Sequence, residues 1–174
     1  GRIGTGLVGG AIVLQALSHH GHTATAYRML LRTEPPSWLG QVALGATTVW
    51  ERLDVYDETG AIRSFDMDTA DGDVMLSLNH PAYGAAMKWV YENVAGVVPA
   101  APGYSRVLIQ PRPAPGVTWA KTRLATRLGE LAVDWQLEGG GLVLDLAVPF
   151  GMTATVGQIN LPYGRYHLTA PIPA

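Results

Sequence analysis

A chain of 174 residues with 48% hydrophobic and 15% charged residues is long enough to bury a core and too apolar to be disordered. Its net charge of −2 provides no basic surface for nucleic acid or an anionic membrane, so neither is expected as a partner. The absence of Cys excludes disulfides and thiolate metal sites, and the apolar runs are too short to span a membrane.

The first predicted element is a helix over residues 5–19, whose apolar side chains cover almost its whole circumference. Such a helix should be buried on most sides. Gly21 is placed to end it in the left-handed conformation, and a second, amphipathic helix follows over residues 22–32, before two prolines. Because these helices cannot cover one another's apolar faces, the sequence is interpreted as the last part of a larger helical domain.

The middle of the chain is predicted to be a long loop followed by a third helix. Residues 54–77 are polar and rich in Asp and Gly, which is typical of a loop. A helix is then predicted from Pro81 to about residue 95, because apolar residues recur at three- and four-residue spacing. Proline is tolerated in the first turn of a helix.

A segment rich in Gly and Pro, residues 96–103, separates two kinds of hydrophobic pattern. Beyond it apolar residues alternate, most clearly at 131–137 and 142–148 on either side of Glu138-Gly139-Gly140-Gly141, which predicts a β-hairpin. Further strands are predicted at 107–109, 118–126 and 152–158. The predicted fold class is therefore α+β and multidomain, with a helical part in residues 1–97 and an antiparallel β-sandwich in residues 98–174.

Three short motifs are interpreted as structural. Residues 4–9 match GxGxxG, but only three residues precede them and no βαβ pattern follows. His19, His20 and His22 have no carboxylate or Cys partner at ligand spacing, which favours a solvated turn. The Asp-rich run 66–73 lacks the glutamate that a calcium loop needs at its last position.

The stretch richest in candidate functional side chains is residues 45–54, Gly-Ala-Thr-Thr-Val-Trp-Glu-Arg-Leu-Asp. Glu51 and Asp54 are three residues apart and on a helical turn would share one face. A tryptophan beside a carboxylate suits a sugar site, since the indole packs on the C–H face of the ring and the carboxylate serves as acid or base at its rim. The same residues also fit the N-terminus of an ordinary helix with exposed charges. The residues alone leave both interpretations open.

Two further motifs stand in order around this stretch: Pro-Ser-Trp-Leu at 36–39 and Ser-Leu-Asn-His-Pro-Ala-Tyr-Gly at 77–84. Together the three motifs resemble the bacterial α-L-rhamnosidases of glycoside hydrolase family 78, over nearly the whole chain. The resemblance implies a partial (α/α)₆ barrel followed by a C-terminal β-sandwich. It also implies hydrolysis of terminal α-L-rhamnosyl bonds with inversion, in which one carboxylic acid protonates the leaving oxygen and an opposing carboxylate activates water.

The resemblance assigns residue roles as well. Glu51, in the Thr-Thr-x-Trp-Glu-Arg motif, corresponds to the general base, and His80 to a residue that contacts rhamnose. The other candidates for substrate binding are Trp38, Trp50, Asp54 and Tyr83. The two-carboxylate chemistry requires no metal and no cofactor. The implied partners are a rhamnosylated small molecule or oligosaccharide and the missing N-terminal part of the same polypeptide.

The chain departs from the family pattern in three respects. Pro81 replaces a tyrosine, and Leu53 stands where the family usually has a second tryptophan. The family's general acid lies in an upstream acidic motif that these residues do not contain, and Glu34 and Glu58 are candidates only by default. A chain without the acid should not hydrolyse glycosides efficiently by itself.

Two other function classes stay open from the sequence. The chain is also compatible with a non-catalytic carbohydrate-binding or structural module. It is further compatible with another α/α-barrel sugar enzyme, such as a glycoside phosphorylase, although phosphorolysis needs a basic phosphate pocket that no cluster near Glu51 supplies. The cellular compartment is undecided.

Overall fold

The computed structural model describes residues 2–56 and 76–173 and divides into two compact units, Gly1–Met87 and Lys88–Ala174. Most of the predicted loop lies outside the described residues, and so do the Asp-rich run 66–73 and the default acid candidate Glu58. No helix in the described part of the chain is long and apolar enough to cross a membrane.

The first unit contains the helices α1 (Leu7–His19), α2 (Thr23–Leu30) and α3 (Trp38–Ala43), followed by a 3₁₀ turn at Ala82–Ala85. The first two confirm the predicted helices, and Gly21 between them has a φ of +81°, as its predicted role requires. Helix α3 was not predicted. It begins at Ser37, whose hydroxyl oxygen accepts a hydrogen bond from the Gly40 N–H at 2.9 Å, so this serine is a standard N-cap.

Helix α1 is less covered than its sequence predicts. Its buried residues are Gly10, Leu14 and Ser18, whereas Val8 and Ile12 are 83% and 59% exposed. The expectation of burial on most sides is therefore wrong for these residues. The physical reason is that the neighbours it contacts, α2 and the 3₁₀ turn, cover one side of a helix that is apolar all round.

The predicted third helix exists, but its pitch changes along its length. The 3₁₀ turn at Ala82–Ala85 is followed by α4 (Ala86–Trp89) and by a π-helical turn at Val90–Val94. Gly96, with a φ of +74°, follows the last turn. It leads into the second unit's first strand.

The second unit is a sandwich of two four-stranded sheets. One sheet has the order β1-β2-β6-β7, with strands Val97–Pro99, Arg106–Ile109, Thr153–Val156 and Ile159–Leu161. The other has the order β3-β4-β5-β8, with strands Trp119–Thr126, Gly129–Glu138, Gly141–Val148 and Gly164–Ala170. Both sheets contribute to one core, which includes Val107, Ile109, Leu131, Val133, Trp135, Leu142, Leu144, Leu146, Val148, Ala154 and Val156.

The β4–β5 hairpin confirms the alternation seen in the sequence. Leu131, Val133 and Trp135 of β4 are buried, and their neighbours along the strand are not. Gly139 and Gly140 form the two-residue turn with φ of +58° and +83°. Positive φ at both positions is what a type I′ turn requires, and its twist matches that of the flanking strands.

One strand pair departs from the otherwise antiparallel sandwich. Strand β2 pairs with β6 in the parallel direction, and all other strand pairs among the described residues are antiparallel. Parallel neighbours need a crossover connection. Here that connection contains the whole β3–β4–β5 part of the other sheet.

The Trp135 side chain connects the sandwich core to the π-helical turn at Val90–Val94, which precedes the first strand. It is 3% exposed, and its Nε1–H donates to the Val94 carbonyl oxygen at 2.8 Å. Trp135→Phe should lower the free energy of unfolding by about 1–3 kcal/mol, since the carbonyl of the half-buried Val94 loses its donor. Urea titration of the two proteins measures this. As the control, Trp119→Phe alters a side chain that is 61% exposed and should shift stability by less than about 0.5 kcal/mol.

An ion pair between neighbouring strands gives the sandwich a pH dependence in acid. Arg123 of β3 donates two hydrogen bonds to the Asp134 carboxylate of β4, one of them at 3.0 Å, and these hold the pKa of Asp134 below its ordinary value. A lowered pKa means that the stabilisation is complete above about pH 4 and is lost as the pH falls through the folded value. The difference in melting temperature between wild type and Arg123→Ala should therefore be present at pH 6 and shrink below about pH 4. A gap that is the same at pH 6 and pH 2 would contradict this. Arg165→Ala, on β8 of the same sheet, is the control.

Candidate active site

Residues 45–54 form an irregular segment that is paired with a second one. No helix is assigned over them, so the helical alternative is wrong here, and Glu51 and Asp54 do not share a helical face. The Glu51 N–H donates to the Ser77 carbonyl oxygen at 2.9 Å, and the His80 N–H donates to the Val49 carbonyl oxygen at 2.8 Å. These bonds hold the Trp-Glu-Arg motif against the start of the 77–84 motif.

The Glu51 carboxylate is held by the same pairing. Its Oε2 accepts a hydrogen bond from the Ser77 N–H at 2.8 Å, and the residue is half-buried. A backbone N–H cannot deprotonate or rotate away, so it fixes one carboxylate oxygen. Glu51 also lines a hollow of about 460 Å³, together with residues that include Ile3, Thr5, Pro36, Leu53, Asp54 and Tyr83.

Asp54 lies at the same hollow but is engaged by its neighbour. Arg52 directs Nε and a terminal nitrogen at the two Asp54 oxygens, at 3.2 and 3.4 Å. The side chains are 41% and 35% exposed, so the pair is partly solvated. The guanidinium offsets the charge of the second carboxylate in the hollow.

Tyr83 lines the hollow and also contacts residues near the start of the first unit. It is 5% exposed, its hydroxyl donates to the Thr5 carbonyl oxygen at 2.9 Å, and its ring lies directly on Gly10 of α1. A Cβ at Gly10 would lie 2.0 Å from the Tyr83 Cε1 atom, which explains a glycine in the middle of that helix. Burial raises the pKa of the Tyr83 phenol, and the nearby Asp54 carboxylate adds to this.

The other three predicted site residues lie outside the described lining of the hollow. Trp50 is 6% exposed, and its ring meets Tyr56 edge-on, with centroids 5.4 Å apart. Trp38 is half-buried and donates from Nε1 to the Tyr83 carbonyl oxygen at 2.9 Å. His80 Nδ1 accepts from the Ala82 N–H at 3.2 Å and so caps the 3₁₀ turn.

Comparison with known proteins identifies the family. The profile of the bacterial alpha-L-rhamnosidase 6 hairpin glycosidase domain matches residues 1–94, and that of the bacterial alpha-L-rhamnosidase C-terminal domain matches residues 96–168. The chain belongs to the bacterial α-L-rhamnosidase family. Its helices are thus part of a six-hairpin barrel, and its sandwich is the C-terminal domain of such a rhamnosidase, as the resemblance implied.

Individual α-L-rhamnosidases match over most of this chain. The enzyme of Streptomyces avermitilis is 38% identical over 88% of the chain, and one from Formosa agariphila is 34% identical over 91%. The crystal structure of the S. avermitilis protein, complexed with L-rhamnose, superimposes on 89% of the chain with a TM-score of 0.79 and 39% identity. That of native Aspergillus terreus α-L-rhamnosidase superimposes on 97% with a TM-score of 0.85 and 32% identity.

The chain covers a small share of these relatives. It spans 14% of the S. avermitilis protein and 16% of the F. agariphila protein, and it covers 20% of the A. terreus chain. It therefore corresponds to a C-terminal piece of a rhamnosidase.

Two residues at the site were not predicted from the sequence. Ser77 supplies the backbone donor to Glu51, although it lies 26 positions further along the chain. Gln41 contacts the backbone on both sides of Glu51. The N-cap serine that begins α3 is the sequence signal that places Gln41 on a helix, but nothing in the sequence pairs it with Glu51.

Over the residues that the structure covers, no three His, Asp or Glu side chains come together as a possible metal site. The rings of His19 and His20 lie perpendicular to each other, edge to face, with centroids 5.3 Å apart. His19 is the last residue of α1, and His20 is its C-cap.

Proposed function

We propose that this chain is the base-bearing part of an inverting α-L-rhamnosidase that hydrolyses terminal α-L-rhamnosyl bonds. The observation that carries the proposal is the placement of Glu51. It lies in the hollow, in a chain of the rhamnosidase family, with one oxygen held by the Ser77 N–H. This arrangement leaves the other oxygen, Oε1, to approach a water molecule.

Inversion needs two carboxyl groups with different tasks. Glu51 takes a proton from water as the water attacks the anomeric carbon, and a carboxylic acid on the other side protonates the leaving oxygen. The two groups stand roughly 6.5–9.5 Å apart, which leaves room for the water. We assign the acid to a part of the rhamnosidase outside these 174 residues. Asp54 is a poor candidate because Arg52 pairs with it.

Substrate binding is proposed for the residues around Glu51. Asp54 and Tyr83 line the hollow and present a carboxylate and a phenol edge to it. His80 accepts a hydrogen bond at Nδ1, so Nε2 is the ring nitrogen that we propose as a hydrogen-bond partner of a sugar hydroxyl. Trp38 and Trp50 are proposed to form the apolar wall of the sugar site. In this structure both rings lie outside the lining of the hollow, Trp38 half-buried and Trp50 buried.

The domain boundary is also a proposal. Residues 1–97 form the end of the barrel and residues 98–174 the sandwich. The exposed apolar side chains of α1, Val8 and Ile12, together with Val42 on α3, support the view that further helices of the same barrel cover this unit. The missing N-terminal part of the polypeptide is therefore its proposed partner. A rhamnosylated small molecule or oligosaccharide is its proposed substrate.

The competing functions receive less support. The relatives that match over most of the chain are named as rhamnosidases, which favours a hydrolase over a phosphorylase. Among the described residues that line the hollow, Arg52 is the single basic one, and it is paired with Asp54. Hydrolysis of an aryl α-L-rhamnoside by the complete protein, with and without Glu51→Gln, tests the proposal and would expose a non-catalytic module.

A further inference from the structure

The side chain of Gln41 bridges the two residues that flank Glu51. Its Oε1 accepts a hydrogen bond from the Trp50 N–H at 3.3 Å, and its Nε2 donates to the Arg52 carbonyl oxygen at 2.7 Å. Gln41 is 4% exposed, so these contacts are sheltered from water. One primary amide thus spans a three-residue segment, from the Trp50 N–H to the Arg52 carbonyl oxygen, with the proposed base at its centre.

The bridge completes the restraint on this short piece of backbone. The Glu51 N–H is already bonded to the Ser77 carbonyl oxygen, which belongs to the second irregular segment. With Gln41 bonded at both ends, the backbone of residues 50–52 is held by three hydrogen bonds, and this restrains the Glu51 Cα–Cβ direction. The direction of that bond decides whether the carboxylate reaches the Ser77 N–H.

Gln41 is itself held in place by helix α3. Its N–H donates to the carbonyl oxygen of the N-cap residue Ser37 at 3.3 Å, and its own carbonyl oxygen accepts from the Ala46 N–H at 3.0 Å. The helix therefore presents the amide from a fixed position. Glutamine is suited to the task because it offers an acceptor and a donor at the same reach; methionine offers neither, and glutamate offers no donor when ionised.

We propose that Gln41 is a positioning residue of the rhamnosidase site: it holds the backbone on both sides of Glu51 and thereby aims the Glu51 carboxylate into the hollow. This inference rests on the proposed role of Glu51 as the base. Gln41 is not among the described residues that line the hollow. Its effect on turnover passes through Glu51.

The first test uses the 174-residue chain and does not depend on catalysis. The Ser77 amide proton reports the hydrogen bond to Glu51 Oε2, and Glu51→Gln gives the reference position for a bond to a neutral oxygen. In Gln41→Met, the Ser77 amide signal should move upfield and its exchange with solvent should become about tenfold faster, because a misaimed carboxylate no longer accepts this bond. An unchanged Ser77 signal in folded Gln41→Met overturns the inference.

A matched control separates positioning from a general loss of stability. Asn93 is another buried amide, 8% exposed, whose Nδ2 donates to the Trp89 carbonyl oxygen at 3.2 Å in the second unit. Asn93→Leu also removes a buried hydrogen bond, but it should leave the Ser77 signal at its wild-type position. If Gln41→Met does not fold, Gln41→Glu keeps the acceptor for Trp50 and replaces the donor to the Arg52 carbonyl with an oxygen, and a shift of the Ser77 signal in the same direction is expected.

The second test is a double-mutant cycle in the complete protein with an aryl α-L-rhamnoside. Gln41→Met should lower kcat by about tenfold to a hundredfold with KM little changed, since a misplacement of about 1 Å costs up to that factor. In the Glu51→Gln background the same change should have no further effect. An equal loss in both backgrounds would show a structural role and overturn the inference. Normal turnover by Glu51→Gln overturns the proposed function instead, while the Ser77 signal still decides the positioning.

Discussion

Glu51→Gln in the complete protein should lower kcat for an aryl α-L-rhamnoside by about a hundredfold to ten-thousandfold, with KM little changed. The amide is the same size as the carboxylate, and its oxygen still accepts the hydrogen bond from the Ser77 N–H, which is 2.8 Å long in the wild type. What the variant loses is the ability to take a proton from water. The effect therefore falls on the chemical step rather than on folding or binding.

Initial rates at saturating and low substrate separate kcat from KM, and binding of L-rhamnose by titration calorimetry checks that the hollow is intact. Glu34→Gln is the matched control. Its carboxylate is 70% exposed and faces Arg32 at 3.5 Å, and Glu34 itself is not among the described residues that line the hollow. This variant should keep wild-type turnover, which would also remove Glu34 as a candidate acid. Turnover by Glu51→Gln within a few-fold of wild type would remove Glu51 from the role of base.

Gly96→Ala should be the most destabilising single change in the second unit, at about 3–5 kcal/mol. Two costs combine at this position. The residue has a φ of +74°, which alanine adopts only with strain, and an added Cβ would lie 2.2 Å from the Pro111 nitrogen. The clash is with backbone, which cannot rotate away as a side chain can. The neighbouring backbone bond, from the Gln110 N–H to the Gly96 carbonyl oxygen at 2.8 Å, would be strained as well.

A second glycine separates these two costs. Gly103 has a similar φ of +65°, but a Cβ built there meets nothing within 4 Å. Gly103→Ala should therefore cost only the backbone strain, about 1–2 kcal/mol. Urea titrations followed by the amide signals of β4 and β5 measure both variants on the intact chain. Equal losses for the two alanines would show that contact with Pro111 is not what makes Gly96 necessary.

Local patterns predicted the regular elements well. The period-two alternation of Leu131, Val133 and Trp135 predicted β4, and the glycine pair after Glu138 predicted its turn. Helices α1 and α2 also follow from spacing and from Gly21. These predictions succeed because side-chain direction within one element depends only on its own period.

The short elements were harder to predict. Strands β1, β7 and β8 were not recognised, since three-residue strands contain too few residues to show a period and β8 carries intermediate and exposed side chains in alternation. Helix α3 has only six residues and was missed for a similar reason. Apolar residues all round α1 predicted burial, whereas the exposure of Val8 and Ile12 depends on which neighbours are present.

The amino-acid sequence alone established the family, the change from helices to strands near residue 97, and Glu51 as the proposed base, because each depends on short motifs or on the period of a single element. Three features became visible only in the folded protein: Ser77 holds the carboxylate, Gln41 bridges the residues on either side of Glu51, and the Trp50 ring contacts Tyr56. Apart from the ring contact, these are hydrogen bonds to the backbone. A backbone group is the same in every residue but proline, so no residue type marks its partner in the sequence.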